Sequence, residues 1–149
     1  MNYSCFKYEI KNKIAHIEMC RPEEFNSMNK AFWSELPNLV DSISNEASAR
    51  VIVLSSQGKH FCAGMDLANF VPNPNAPKTH IGMRKESAFR GTLDLQHTIS
   101  CLEKARIPVI AAVQGACVGG GVDLVTATDI RYCPKDAFFC IQEINIGIA

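Results

Sequence analysis

The chain has 149 residues, 47% of them hydrophobic and 20% charged, with fifteen Lys and Arg balanced by fifteen Asp and Glu. That is the make-up of one globular domain, and a net charge of zero gives no basic face of the kind that duplex nucleic acid requires. Cysteines at 5, 20, 62, 101, 117, 133 and 140 form no C-x-x-C pair, and an odd number cannot close completely into disulfides. Reduced thiols in a cytoplasmic or organellar-matrix protein are the simplest reading. The polar, alternating start "MNYSCFKYEIKNK" has no signal-peptide core, and no apolar run reaches membrane-spanning length.

In chain order, "YSCFKYEI" and "KIAHIEMC" alternate around "KNK", which predicts a hairpin of two half-buried strands with His16 as an ordinary strand residue. "RPEEFNSMN" breaks the pattern. Next, "KAFWSELPNLVDSISNE" puts Phe32, Trp33, Leu36, Leu39, Val40 and Ile43 on one helical face with Asn29 as N-cap. Pro37 lacks a backbone donor and is expected to kink this helix or mark a break. The run "RVIVLSS" reads as a strand buried on both faces. "GKHFCAGMDLANF" then carries a bare turn, Ala63-Gly64, before an acid, and "VPNPNAP" at 71–77 reads as a loop. The stretch from Arg84 to Arg106 reads as a helix, with Arg84, Lys85 and Arg90 on a solvated face, and "IPVIAAVQG" as another buried strand. After four glycines, at 115, 119, 120 and 121, come a short helix, "DIRYC" and "AFFCIQEINIGIA". Strands alternating with helices, with no repeat and no linker, make 1–149 a single α/β domain.

The glycines raise the question of what the chain wants with so bare a backbone. A P-loop would need Gly-Lys-Ser/Thr, and a dinucleotide fingerprint would need a glycine where Leu124 stands. Two readings remain: tight turns packed together without a ligand, or two strand-to-helix turns whose N–H groups converge on one oxygen, an oxyanion hole. Around them, Asp66 reads as a cap for its turn, His60 as a residue that fixes a loop, and His80 and His97 as surface or helix residues. No His, Cys and carboxylate set has metal spacing.

At "RPEEFNSMN", "HFCAGMDL", "PVIAAVQGACVGGGVDL", "DIRY" and "AFFCIQEINIGIA" the sequence resembles the enoyl-CoA hydratase/isomerase, or crotonase, family. The resemblance implies a crotonase-like ββα spiral, of which these residues form the N-terminal core without the C-terminal helical trimerisation region. Within the family, "GGGVDLVTATDIRYCPKDAFF" looks closest to the dienoyl-CoA isomerases, which favour Asp where hydratases carry their first catalytic Glu. It implies a coenzyme A thioester as substrate, no permanently bound cofactor, and a homo-oligomer, trimer or hexamer, for a full-length form. By position in the motifs, the oxyanion donors are the N–H groups of Met65 and Gly120, and the acid–base pair is Asp123 and Glu143. CoA contacts fall to Arg21, Asn26 and Met28 and to the segment Cys62, Ala63, Gly64, Met65, Asp66 and Leu67. Asp123 is one methylene shorter than Glu, which favours isomerase over hydratase. Cys62, Cys117 and Cys140 read as small apolar fillers. The rival reading is a protein of the same fold that binds CoA thioesters or assembles with other subunits without turnover. The apolar tail set Phe138, Phe139, Ile141, Ile144, Ile146 and Ile148 is expected to need cover from elements beyond these residues.

Overall fold

The hairpin at the start of the chain sets the edge of the sheet. Asn12 and Lys13 both adopt positive φ, the backbone of a two-residue primed turn whose twist matches the flanking strands. They join β1 (Phe6–Lys11) to β2 (Ile14–Met19) in antiparallel register. A computed structural model describes residues 3–70, 79–145 and 147; the 71–77 loop, Ile146 and Ile148 lie outside the described residues.

From β2 the chain crosses through α1 (Lys30–Asn45) to β3 (Val51–Ser56), then through α2 (Ile81–Lys104) to β4 (Val109–Ala112). A further strand, β5 (Ala116–Val118), leads into α3 (Gly120–Thr126) and on to β6 (Ile130–Tyr132) and β7 (Phe138–Cys140). The main sheet has the order β1-β2-β3-β4-β6, parallel except for the hairpin, and β5 pairs with β7 in a separate parallel ribbon. The core forms between α1 and the inner face of the main sheet, with Phe32, Leu36, Leu39 and Val40 packed in one cluster with Ile17, Ile52 and Leu54.

Asn29 caps α1 as expected, its Oδ1 accepting the Phe32 N–H at 3.0 Å. Pro37 does not end this helix, which continues to Asn45. The reason lies in a different element: Pro37 deprives the Trp33 carbonyl of its helical donor, and the buried Thr98 hydroxyl on α2 sits 2.8 Å from that oxygen. The structure also corrects β3, which alternates instead of being buried on both faces. Ile52, Leu54 and Ser56 are buried, while Val51, Val53 and Ser55 are half-exposed. The outer face carries polar pairs, His16 Nε2 with Ser55 Oγ at 2.7 Å and Gln57 Nε2 donating to Glu18 at 2.6 Å. Finally, α2 begins at Ile81 and not Arg84, because the His80 ring accepts the Gly82 N–H at 3.1 Å and caps the helix three residues early.

Candidate active site

Two turns far apart in sequence are zipped together by short parallel pairing. Phe61 and Cys62 N–H groups donate to the Ala116 carbonyl at 2.9 and 3.2 Å, Val118 N–H donates to the Cys62 carbonyl at 2.9 Å, and Cys62 and Cys117 face each other in an isolated bridge. The chains approach so closely at Gly115, where φ is +58°, that a Cβ would overlap the Lys59 carbonyl. Only glycine fits there.

The pairing delivers two amides to one place. Met65 is bridged to Met28: Met28 N–H donates to the Gly64 carbonyl at 2.9 Å and Asp66 N–H to the Met28 carbonyl at 3.1 Å. Since the flanking groups face Met28, the Met65 N–H points the opposite way, as alternation along an extended chain demands. It points toward the Gly-rich turn, where a Cβ on Gly120 would lie 3.9 Å from the Met65 nitrogen and one on Gly64 3.3 Å from the Gly120 nitrogen. Gly120 opens α3, so its N–H is one of the donors that a helix start leaves without an internal partner. Neither amide donates to a protein acceptor among the described residues. A Cβ on Gly120 would stand 2.9 Å from the Met28 sulfur, so that flexible side chain would have to shift to admit one.

The carboxylates reach the same turn from two sides. Asp123 lies in the first turn of α3. The β5–β7 ribbon and the Gly119 N–H, which donates to the Cys140 carbonyl at 2.8 Å, carry the chain to a 3-10 turn, Glu143–Asn145. There a Glu143 oxygen comes within 2.9 Å of where a Gly119 Cβ would be. Partial burial lifts the Asp123 carboxyl above its ordinary range, and the negative charge of Glu143 lifts it further. A cavity of about 590 Å³ between α2 and α3 opens beside Asp123, lined also by Gln96, Ser100 and Thr126.

The remaining expected site residues divide. Ala63 and Leu67 are exposed beside the turn, and Asp66 caps the following 3-10 turn by accepting the Ala68 N–H at 2.9 Å. The loop residues turn inward. Asn26 is 3% exposed, its amide donating to the Gln57 and His60 carbonyls, and Arg21 donates to the Ser27 carbonyl at 2.8 Å. Met28 is fully buried. Their side chains thus brace the loop against the site. Burial pushes the Cys62 thiol up to about 11 and the Cys117 thiol up to about 12, which keeps both protonated and poor as nucleophiles. Among the described residues no cluster of three His, Cys, Asp or Glu side chains is placed to hold a metal, and no helix is long and apolar enough to cross a membrane.

Sequence reading gave no site role to three side chains that brace the segments around the turns. Trp33 Nε1 and Asn69 Nδ2 both donate to the Met28 carbonyl, at 3.2 and 2.8 Å, and Gln114 Nε2 clasps the Ser56 and Gly58 carbonyls at 2.7 and 3.2 Å. For Asn69 and Gln114 the partners lie 41 to 58 positions away, so no local spacing signals them.

With this geometry in view, the family model for enoyl-CoA hydratase/isomerase matches residues 9–149, and the chain belongs to that family. Among its relatives, the mitochondrial Delta(3,5)-Delta(2,4)-dienoyl-CoA isomerase of Pongo abelii is 44% identical over 91% of this chain and 42% of its own length. The peroxisomal Delta(3,5)-Delta(2,4)-dienoyl-CoA isomerase of Arabidopsis thaliana is 40% identical over 92% of this chain and 50% of its own. A Legionella pneumophila structure assigned to the enoyl-CoA hydratase/isomerases (crotonases) superposes with a TM-score of 0.84 and 33% identity over 99% of this chain and 54% of that one. A Thermobifida fusca structure assigned as an enoyl-CoA hydratase, in complex with acetoacetyl-CoA, gives 0.84 and 26% over 99% and 57%. The architecture is the mixed α/β crotonase fold, and the chain spans about half the length of these relatives.

Proposed function

We propose that the chain forms the thioester-binding part of an acyl-CoA isomerase, in which the Met65 and Gly120 N–H groups receive the thioester oxygen and Glu143 and Asp123 move the proton. The observation that supports this most is the meeting of two uncommitted main-chain donors beside a pair of carboxylates. Loss of a proton from the acyl chain sends an electron pair through the conjugated system onto the carbonyl oxygen, where two preorganised donors stabilise the charge. Return of a proton at another carbon leaves the double bonds moved and no atom gained or lost. A carboxyl raised above its ordinary range holds its proton more readily, which fits Asp123 to give a proton while Glu143 serves as principal base. The short Asp123 side chain favours this isomerisation over hydration, for which a carboxylate must hold a water. The isomerase relatives support the same choice, and their mitochondrial and peroxisomal names support an organellar-matrix setting in fatty-acid metabolism. A trimeric or hexameric full-length assembly belongs to the same reading.

Glu143→Gln keeps the shape and removes the charge. With a 3,5-dienoyl-CoA it should slow turnover by about two to four orders of magnitude while leaving acetoacetyl-CoA binding nearly intact. If binding and turnover fall together, Glu143 is structural. The exposed Phe138, Phe139, Ile141 and Ile144 favour a second reading, a CoA-thioester-binding or assembly protein without turnover. Acetoacetyl-CoA binding with no dienoyl-CoA isomerisation would select it.

A further inference from the structure

We propose that His60 is a positioning residue whose neutral imidazole, protonated at Nε2, sets the spacing of the Met65 and Gly120 amides by closing the first rung between the two turn segments; this rests on the oxyanion reading above. In an ordinary parallel ladder the Ala116 N–H would find a main-chain carbonyl. Here it finds His60 Nδ1 at 3.1 Å. The neighbouring carbonyl of His60 is already occupied, accepting from Asn26 Nδ2 at 3.2 Å and from Ser56 Oγ at 3.3 Å. The imidazole stands in for the missing acceptor.

What makes this rung matter is its leverage. Beyond it the pairing continues through the Ala116 carbonyl to the Cys62–Cys117 bridge, and from that bridge both chains run three residues to their donors, 62 to 65 and 117 to 120. With arms of equal length, a slip or tilt at the rung passes directly to the gap between the amides. The ring also lies against Phe25, at 6.1 Å between centroids and 47° between planes, and the Phe25 carbonyl accepts the Ala63 N–H at 3.0 Å. An Nδ1 that accepts a backbone N–H must carry a lone pair, so the ring proton sits on Nε2.

Two measurements test this, neither needing turnover. In the wild-type chain, nitrogen-15 NMR of the His60 ring should show a bare Nδ1 and a protonated Nε2; a proton on Nδ1 overturns the proposal. Asparagine places its Oδ1 close to where Nδ1 stands, whereas glutamine carries its acceptor one bond too far. His60→Asn should therefore leave the Met65 and Gly120 amide resonances near their wild-type positions and acetoacetyl-CoA affinity within about threefold. His60→Gln should move both resonances and weaken acetoacetyl-CoA about tenfold or more. Like behaviour of the two variants, in either direction, overturns the positioning role. Should His60→Gln fail to fold, the ring tautomer and the His60→Asn spectrum still decide. If the wild-type chain does not bind acetoacetyl-CoA, the oxyanion reading fails on its own, while the amide resonances continue to judge His60.

Discussion

Around the two glycine turns the backbone is answered from within the chain: the carbonyls of Ser56, Gln57, Gly58 and His60 each accept from the side chain of Asn26, Ser56 or Gln114. Along the first half of α2 the opposite holds. Residues 81–94 are exposed without a break, and Ile81, Met83, Phe89 and Leu93 show side chains 47–65% accessible. The contrast separates two jobs within one chain. Partners from within this chain brace the segment that leads to the first candidate donor. The outer helix presents large apolar groups whose burial, about 1.5–3 kcal/mol each, this chain does not realise.

The largest break in that comparison should come from Gly120→Pro. It removes one donor and pushes atoms toward the Met28 sulfur. Turnover of a dienoyl-CoA should drop by about a hundredfold to a thousandfold, and an undiminished rate would remove Gly120 from the reaction. Next in size is Thr98→Val, which strands the Trp33 carbonyl inside α1 and should cost about 1–3 kcal/mol in urea unfolding. Pro37→Ala restores the helical donor, so in that background the same change should cost distinctly less. Equal costs in both backgrounds would show that Thr98 does not answer for the proline.

On the outer helix, Phe89→Ser should alter stability by no more than about 0.5 kcal/mol while lowering the binding of a hydrophobic dye. A loss above about 2 kcal/mol would mean that α2 is packed where it looks bare. The smallest effect concerns the acids. Because folding raises Asp123 above its ordinary value of 3.8, the folded chain holds that proton more tightly than the unfolded one. The resulting stabilisation is complete below the ordinary value and fades as pH rises through the folded one. Glu143→Gln removes the second cause of the shift, so a carbon-13 titration of Asp123 should move down in pH while staying above the ordinary value. No movement would separate the two carboxylates.

Much of this was legible in the residues themselves wherever cause and effect lie close together. The hairpin, the Asn29 cap and the repeated pattern of strand, bare turn and acid are local patterns, and each predicted its element. The repetition suggested that two turns converge, while the choice of Met65 and Gly120 within them came from the family resemblance. What stayed hidden depends on distant partners. Pro37 passes through a helix because Thr98 stands across from it, and Val51 and Val53 are apolar enough for a buried strand although the described residues leave their face half-exposed. The family resemblance offers Asn26 and Met28 as CoA contacts; that their side chains turn inward, toward 57–60 and Gly120, depends on distant partners. Glu143 met its turn only through the β5–β7 ribbon, whose partners are 22 positions apart.

The Cys62–Cys117 bridge joins positions 55 residues apart, and this sets an order in time. The β1–β2 hairpin, closed by two residues, can form within about 1–10 μs of the chain becoming free. Bringing the donor segments together closes the 55-residue loop, an entropic cost that the two-residue hairpin escapes. On a growing chain Met65 therefore emerges well before its counterpart exists, and the two amides can become a pair only once both segments are present.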